Sequence, residues 1–167
     1  MAHVTALGIH IKVVSIEASR EFYENYLGLV PTFAYGNAEF LATVPDSATK
    51  VDEIYQGVTY EISPSTKLEL ADGHIAVKDQ SVFAGRITSP KVSAMISVES
   101  LIPLLEGSDR RPNSSAKHYY WGTVEMVVRD PDGWVIVLIA PYSEEEVEGV
   151  SKYVAVERID ASQASEA

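Results

Sequence analysis

The segment that decides the fold is residues 22–29, which read FYENYLGL. Its large apolar side chains recur at the spacing of one helix face, and they are Phe22, Tyr23, Tyr26 and Leu27. Gly28 follows at once, and glycine often ends a helix because it adopts the left-handed conformation at little cost. Ser15 stands where a side-chain oxygen can cap a helix start. The pattern therefore predicts an amphipathic helix that begins after Ser15 and ends at Gly28.

Strands are predicted on both sides of this helix. Residues 8–14, GIHIKVV, alternate, so Ile9, Ile11 and Val13 point to one face. The other face carries Gly8, His10, Lys12 and Val14. After the helix, strands are expected at residues 29–35, 39–44, 57–62, 66–71 and 74–78, with a loop at 45–54.

The second half of the chain repeats this order. We expect a strand at 91–98, a helix at 100–106 and strands at 118–121, 123–129 and 134–140. A tight turn, DPDG, occupies residues 130–133, with Gly133 at positive φ. Each half thus contains a strand, a helix and about three strands, which predicts an α+β fold of two βαβββ modules. Module one covers about residues 6–78 and module two about residues 90–141. Residues 142–167 form an acidic C-terminal tail, in which residues 147–159 can form an amphipathic helix.

Composition excludes several classes of function. The 167 residues contain no cysteine, which excludes disulfides, thiolate metal sites and cysteine nucleophiles. The net charge of −11 argues against nucleic acid as a partner. No signal peptide is recognised, and the longest apolar run, residues 134–140, is too short to cross a bilayer. We therefore expect a cytoplasmic protein without a membrane partner, whose tail acids at 144–146 and 148 form a solvated face.

Two signatures resemble the glyoxalase/bleomycin-resistance/dioxygenase superfamily, which has the vicinal-oxygen-chelate fold. The first is Phe22-Tyr23 followed by Tyr26-Leu27-Gly28-Leu29, after a strand that carries His10. The second is Arg129-Asp130-Pro131-Asp132-Gly133 at the entry to an apolar strand. The resemblance spans about residues 6–141 and implies a domain at 1–141 with curled mixed sheets around a cleft and helices outside. It also implies a homodimer.

The resemblance implies four positions for a divalent metal such as Fe, Mn, Ni or Zn. His10 and Glu69 fall on the two positions of module one and fit. The positions of module two fall on Ser93 and Val137, and valine cannot bind a metal. The site is therefore expected to be degenerate, so that no cofactor is predicted. The alternative is a metal held by His10 and Glu69 with ligands recruited from His74 or His118.

An aromatic strand follows in module two. Residues 118–121, HYYW, should send Tyr119 and Trp121 to one face. The motif Trp121-Gly122 with Glu125, ahead of the DPDG turn, is similar to the bleomycin-resistance branch, which binds drugs in aromatic, acidic grooves. We therefore expect a planar or cationic ligand. The predicted ligand-binding residues are His10, Lys12, Glu69, Ser93, Tyr119, Trp121 and Glu125.

Three functions remain open from the sequence. The first is a small-molecule-binding protein of the glyoxalase/bleomycin-resistance type, with antibiotics among its expected ligands. The second is a metal-dependent dioxygenase, isomerase or lyase of the same superfamily, or a metal-free enzyme that uses His10 or Glu69 for acid–base chemistry. The third is an interaction domain whose acidic tail docks a partner.

Overall fold

The computed structural model describes residues 6–44, 46–73, 77–88, 91–106, 112 and 114–161. The chain divides into two units, Met1–Arg86 and Ile87–Ala167. Each unit contains one five-stranded mixed sheet and few helices. This arrangement confirms the predicted α+β class with two βαβββ modules.

The first unit is built on strands β1 to β5. They are β1 (Leu7–Lys12), β2 (Pro31–Gly36), β3 (Ala48–Val51), β4 (Gly57–Ser63) and β5 (Thr66–Ala71). Their order in the sheet is β1-β5-β4-β2-β3. Strand β1 is parallel to β5, β4 is antiparallel to β5 and β2, and β3 is parallel to β2. When β3 is left out, β1, the helix that follows it, β2, β4 and β5 give the predicted βαβββ order.

The helix predicted from FYENYLGL forms between β1 and β2. It begins as α1 (Ile16–Arg20) and continues as a π-helical segment, Glu21–Tyr26. The side chain of Ser15 caps its start by accepting a hydrogen bond from the Ala18 amide at 3.2 Å. Gly28 follows its end with φ of +71°, as the sequence predicts.

The apolar face of this helix packs on the apolar face of the sheet. Phe22 and Tyr23 are almost fully buried, and the Tyr23 ring stacks on Tyr60 of β4 with the centroids 6.4 Å apart. The alternation of β1 and β5 places Ile11 and Leu70 in the same core. One face of the sheet is therefore closed, and the opposite face is free to form a site.

The segment between β2 and β4 differs from the prediction. Residues 39–44 are not a strand, because the side chain of Asn37 caps a short helix, α2 (Ala38–Leu41), that buries Phe40. The predicted loop at 45–54 contains β3, an exposed strand at the sheet edge. Strand β3 is stabilised by backbone pairing with β2. The side chains of β3 have no alternating polarity from which the strand could be predicted. The strand expected at 74–78 lies largely outside the described residues.

The second unit repeats the module and adds a strand at its end. Its strands are β6 (Ser93–Ser97), β7 (Ala116–Tyr119), β8 (Thr123–Arg129), β9 (Val135–Pro141) and β10 (Val156–Ile159), and its helices are α3 (Ile102–Leu105) and α4 (Glu144–Ser151). The sheet order is β10-β7-β8-β9-β6, with β6 parallel to β9 and β10 parallel to β7. Strands β7, β8 and β9 are antiparallel neighbours.

The DPDG turn joins β8 to β9 as predicted. Asp130 is buried, and its carboxylate accepts a hydrogen bond from the Trp134 amide at 2.7 Å. Gly133 has φ of +88°, and its carbonyl accepts a hydrogen bond from the Arg129 guanidinium at 2.6 Å. These contacts satisfy the turn within the protein, so the motif is structural.

The C-terminal tail is part of the second sheet. The predicted helix at 147–159 is wrong beyond Ser151, because Ser143 caps the helix four residues earlier and residues 156–159 pair with β7. The expectation that the acids at 144–146 form a solvated face is also wrong for Glu146, which is 6% exposed. Its carboxylate accepts hydrogen bonds from the Ser100 hydroxyl and the Leu101 amide, both at 2.7 Å. The tail therefore docks on α3 of its own unit.

Candidate functional site

Polar side chains gather on the open face of the first sheet. His10 of β1 and Glu69 of β5 are paired across the parallel ladder, so their side chains leave the same face side by side. The His10 Nε2 and Glu69 Oε1 atoms are 3.3 Å apart. The ammonium group of Lys12 contacts the His10 ring. The structure thus brings together His10, Lys12 and Glu69, the three site residues that the sequence predicts in module one.

Tyr35 of β2 joins this group, and the sequence did not single it out. Its hydroxyl donates a hydrogen bond to Glu69 Oε1 at 2.9 Å. Tyr35 lies 34 residues before Glu69 and two strands away from it in the sheet. The alternation of β2 would have assigned Tyr35 to the face of Phe33, but only the strand order reveals that this face meets Glu69.

Glycines make room for the aromatic rings of the site. The Tyr35 ring lies directly over Gly57, its partner on β4, where an added Cβ atom would overlap the ring. The Tyr55 ring covers Gly73 in the same way. Gly57 therefore fixes the path by which the Tyr35 hydroxyl reaches Glu69.

A cleft of about 370 Å³ opens over these groups. This volume lies within the usual range of small-molecule pockets, about 300–1,000 Å³. Aromatic and polar side chains line the cleft together, and the lining residues are His10, Phe33, Tyr35, Lys50, Asp52, Tyr55, Glu69 and Gly73. Phe33, Lys50, Asp52 and Tyr55 are lining residues that the sequence did not predict.

The surroundings shift the proton equilibria of three groups in or beside the cleft. Burial, the hydrogen bond to Glu69 and the charge of Glu69 raise the pKa of Tyr35 well above its usual value. Burial lowers the pKa of Lys12, although Glu69 and Asp72 partly offset this effect. Hydrogen bonds from the Ile54 and Tyr55 amides lower the pKa of Asp52. The phenol of Tyr35 therefore stays protonated and serves as a hydrogen-bond donor.

A resident transition metal finds too few donors among these groups. Catalytic metal sites of the zinc type usually offer three protein ligands. His10 and Glu69 supply two, but Glu69 already accepts a hydrogen bond from the Tyr35 hydroxyl, and the Lys12 ammonium contacts His10. Within the described ranges, no group of three histidine, aspartate or glutamate side chains could hold a metal ion. His74 lies outside the described residues.

The equivalent strands of the second unit carry no such cluster. Val137 pairs with Met95 of β6, whereas Ser93 pairs with Val135. The two positions expected for metal ligands in module two, Ser93 and Val137, are thus not partners across the ladder. Met95 is 72% exposed and occupies the position beside Val137.

The other predicted residues of module two form an aromatic cluster at the β7–β8 turn. The Tyr119 and Trp121 rings are parallel, with centroids 4.2 Å apart and planes 9° from each other. The Trp121 indole donates to Glu125 Oε1 at 3.2 Å, and the Thr123 hydroxyl donates to the same oxygen at 2.7 Å. Trp121 is 51% exposed. The structure therefore brings together Tyr119, Trp121 and Glu125. Ser93 is not beside them, because the residue of β6 that aligns with Glu125 across the sheet, through Ile139, is Ser97.

Solved structures share this fold. A glyoxalase/bleomycin resistance protein from Catenulispora acidiphila DSM 44928 is 21% identical, with a TM-score of 0.50 over 82% of this chain and 98% of that one. A superfamily member from Sphaerobacter thermophilus DSM 20745 is 17% identical, with a TM-score of 0.52 over 84% and 98%. Glyoxalase I from Zea mays is 15% identical, with a TM-score of 0.57 over 83% of this chain. The alignment spans 45% of the maize protein's length.

These likenesses show the fold of the chain. The chain has the two-module fold of the glyoxalase/bleomycin-resistance/dioxygenase superfamily, as the two sequence signatures indicate. No protein-family model matches the sequence, and no curated protein matches it either. Among the described residues, no helix is long and apolar enough to span a membrane.

Proposed function

We propose that this chain is a small-molecule-binding protein of the glyoxalase/bleomycin-resistance type, with its ligand site in the cleft of the first unit. The observation that carries the proposal is the chain of contacts from Lys12 through His10 and Glu69 to Tyr35 beneath that cleft. Polar groups that are fixed before a ligand arrives bind it at a smaller entropic cost. Aromatic rings supply contact area around them. This combination is typical of a binding pocket.

A ligand screen tests the proposal. We expect hits from a small-molecule library that includes antibiotics to raise the melting temperature of the protein, since ligands that bind the folded state stabilise it. Tyr55→Ala removes an aromatic wall of the cleft and should abolish the shift. Lys152→Ala, which truncates an exposed lysine of the second unit, should leave it intact. Hits that respond equally to both variants would contradict a site in this cleft.

The proposal includes a homodimer, because closed two-fold dimers are the commonest oligomers of soluble proteins and the superfamily resemblance implies one. Light scattering with size-exclusion chromatography measures the mass directly. A mass of one chain at the concentration of the binding assay would remove the dimer and leave the cleft proposal standing.

The second candidate is an enzyme of the same superfamily. The observation that favours it is the His10–Glu69–Tyr35 cluster, in which an imidazole, a carboxylate and a phenol meet over a cleft. Such groups can move protons in an isomerase or lyase reaction. A dioxygenase would require a metal, so we would titrate Fe, Mn, Ni and Zn against wild type and a His10→Ala/Glu69→Ala double variant. Metal-dependent stabilisation that is lost in the double variant would favour the enzyme.

The aromatic cluster of the second unit is a further candidate ligand site, for a planar cation. One face of Trp121 is covered by Tyr119, and half of the side chain remains exposed beside the Glu125 carboxylate. Cations are attracted to indole faces and carboxylates. Quenching of tryptophan fluorescence by the planar cation acriflavine, with Trp121→Phe as the comparison, tests this site. Equal quenching in the variant would exclude Trp121 from the site.

A further inference from the structure

We propose that the cleft of the first unit selects planar carboxylates, with Lys50 holding the carboxylate end of the ligand. This inference rests on the proposed binding function and adds the class of ligand. The net charge of −11 alone would favour a cationic ligand. The local arrangement of charged groups in the cleft indicates the opposite.

The first argument is that the acidic groups of the cleft already have hydrogen-bond donors. Glu69 accepts the Tyr35 hydroxyl at 2.9 Å and lies 3.3 Å from His10 Nε2. Asp52 accepts the backbone amides of Ile54 and Tyr55 at 2.9 and 3.1 Å. Carboxylates that are engaged in this way are less available to a cationic ligand, because such a ligand must compete with donors inside the protein.

The second argument is the position of the lysines. One continuous row of paired residues crosses all five strands on the open face, and it runs Lys12, Ala71, Gly57, Tyr35, Lys50. Neighbouring strands are about 4.8 Å apart, so the Cα atoms of the two terminal lysines are separated by about 19 Å. A lysine thus stands at each end of the row, and the residues between them are small apart from Tyr35.

The two lysines differ in what they contact. Lys12 is half-buried, and its ammonium lies against the His10 ring. Lys50 is exposed on the edge strand β3 and lines the cleft beside the aromatic rings of Phe33, Tyr35 and Tyr55. Its charge also acts on Asp52, whose carboxylate accepts the Ile54 and Tyr55 amides. An ammonium group offers three donors to an anion and no acceptor. Lys50 is therefore the group best placed to bind a carboxylate whose planar ring lies among these aromatic side chains.

The other end of the ligand would then face the His10–Glu69–Tyr35 group. This group offers donors and acceptors to an uncharged polar substituent, such as a hydroxyl or a carbonyl. Charges farther away on the surface act weakly at physiological salt, because the screening length is about 8 Å. Within the cleft, Glu69 and Asp52 already accept hydrogen bonds from protein donors, so the exposed ammonium group of Lys50 decides the sign of the ligand charge.

A matched set of three probes tests the inference: 2-naphthoate, 2-naphthamide and 2-naphthylmethylamine, which share one ring system and differ in charge. Their dissociation constants are measured by NMR titration of the full chain at physiological ionic strength, where the screening length is about 8 Å. We expect the carboxylate to bind about tenfold more tightly than the amide, the difference expected from a charge-assisted hydrogen bond. The amine should bind most weakly.

Lysine variants connect the preference to Lys50. Lys50→Met should reduce the carboxylate preference to about twofold or less, whereas Lys50→Arg keeps the charge and should retain most of it. Lys152→Met, an exposed lysine of the second unit, is the control and should behave as wild type. Because Lys50 is exposed at a sheet edge, the variant should fold normally, and circular dichroism checks this.

Two results would overturn the inference. One is that the amide or the amine binds as tightly as the carboxylate or more tightly. A failure of the carboxylate to bind at all counts as the same result. The other is a carboxylate preference that survives Lys50→Met. If the amide or amine binds and Tyr55→Ala abolishes its binding, the proposed function stands and only the ligand class is wrong. If neither these probes nor the library hits depend on Tyr55, the proposed function itself fails.

Discussion

The two units fold the same way on their closed faces and differ on their open ones. In each, a strand pairs in parallel with the last strand of its module, and a helix follows the first strand. On the open face of the first unit, the paired positions on these two strands are His10 and Glu69. On that of the second unit, Met95 pairs with Val137, and Val127 of β8 follows on the same rung.

This difference separates what the fold requires from what a site requires. The buried faces of both sheets must be apolar, because they form the cores, and apolar residues alternate along most of their strands. The open faces carry no such demand, so one can hold a polar cluster and the other apolar and aromatic side chains. Function must therefore be argued from each face separately. The following predictions test that separation, beginning with the largest effect.

Glu146→Ala should destabilise the second unit by about 3 kcal/mol, because it removes two charge-assisted hydrogen bonds and leaves the Leu101 amide buried without its acceptor. Urea unfolding followed by tryptophan fluorescence measures the effect, since Trp121 and Trp134, the two tryptophans of the chain, both belong to the second unit. Glu145→Ala is the matched control from the same acidic run, with an expected change within about 0.5 kcal/mol. Equal effects of the two variants would mean that Glu146 does not anchor the tail.

Gly57→Ala should cost about 2 kcal/mol, because the added methyl group overlaps the Tyr35 ring and forces it away from Glu69. Ligand binding in the cleft should weaken at the same time. Gly8→Ala is the control on the same open face, where the nearest atom to an added Cβ is 4.0 Å away. That substitution should be neutral or slightly stabilising. Denaturant unfolding measures the free energy of unfolding of both variants. Similar losses of stability in the two would show that the packing of Tyr35 on Gly57 is unimportant.

The closed faces could be predicted from the sequence, and the reason is local. The helix that ends at Gly28 and the turn at Gly133 follow from residues that lie next to each other in the chain. The alternation of residues 8–14 predicted correctly that His10 and Lys12 leave the apolar face. These signals need no knowledge of which strands become neighbours.

The open faces could be predicted only in part, because a site depends on strand order. His10 and Glu69 were identified through the resemblance, yet Tyr35 and Lys50 reach the cleft only through the pairing of β2 with β4 and β3. Strand β3 itself was missed, since an exposed edge strand needs no apolar alternation. Glu146 was assigned to a solvated run, because a run of three glutamates does not reveal which one meets the start of α3.

Trp121→Ala should cost about 1 kcal/mol or less, because the side chain is half exposed and its loss removes one aromatic stack and one hydrogen bond. Trp134→Ala provides the contrast, since Trp134 is 7% exposed and its indole donates to the Val92 carbonyl. The loss there should be about 3 kcal/mol or more. Because each variant removes a fluorophore, unfolding is followed by circular dichroism. A large loss in Trp121→Ala would make the aromatic cluster structural and remove the argument for a ligand there.

The smallest expected effect is the response of the first unit to alkaline pH. Burial raises the pKa of Tyr60 and Tyr35 above the usual value, and Glu24 and Glu69, their hydrogen-bond acceptors, raise it further. The folded state therefore keeps both phenol protons at a pH where the unfolded chain, whose tyrosines ionise near about pH 10, releases them. The stability that these phenols contribute is complete below that pH and declines above it.

One fully retained proton corresponds to about 1.4 kcal/mol per pH unit, and solvent screening at the half-buried Tyr35 should reduce its contribution below about 1 kcal/mol. Tyr60→Phe and Tyr35→Phe should each flatten the fall in unfolding free energy between about pH 10 and pH 11, with the larger change in Tyr60→Phe. Tyr120→Phe, on the exposed aromatic turn of the second unit, should leave the profile unchanged. Parallel profiles for all four proteins would show that these phenols are not held protonated, and the argument that Tyr35 acts as a fixed donor to Glu69 would fall with them.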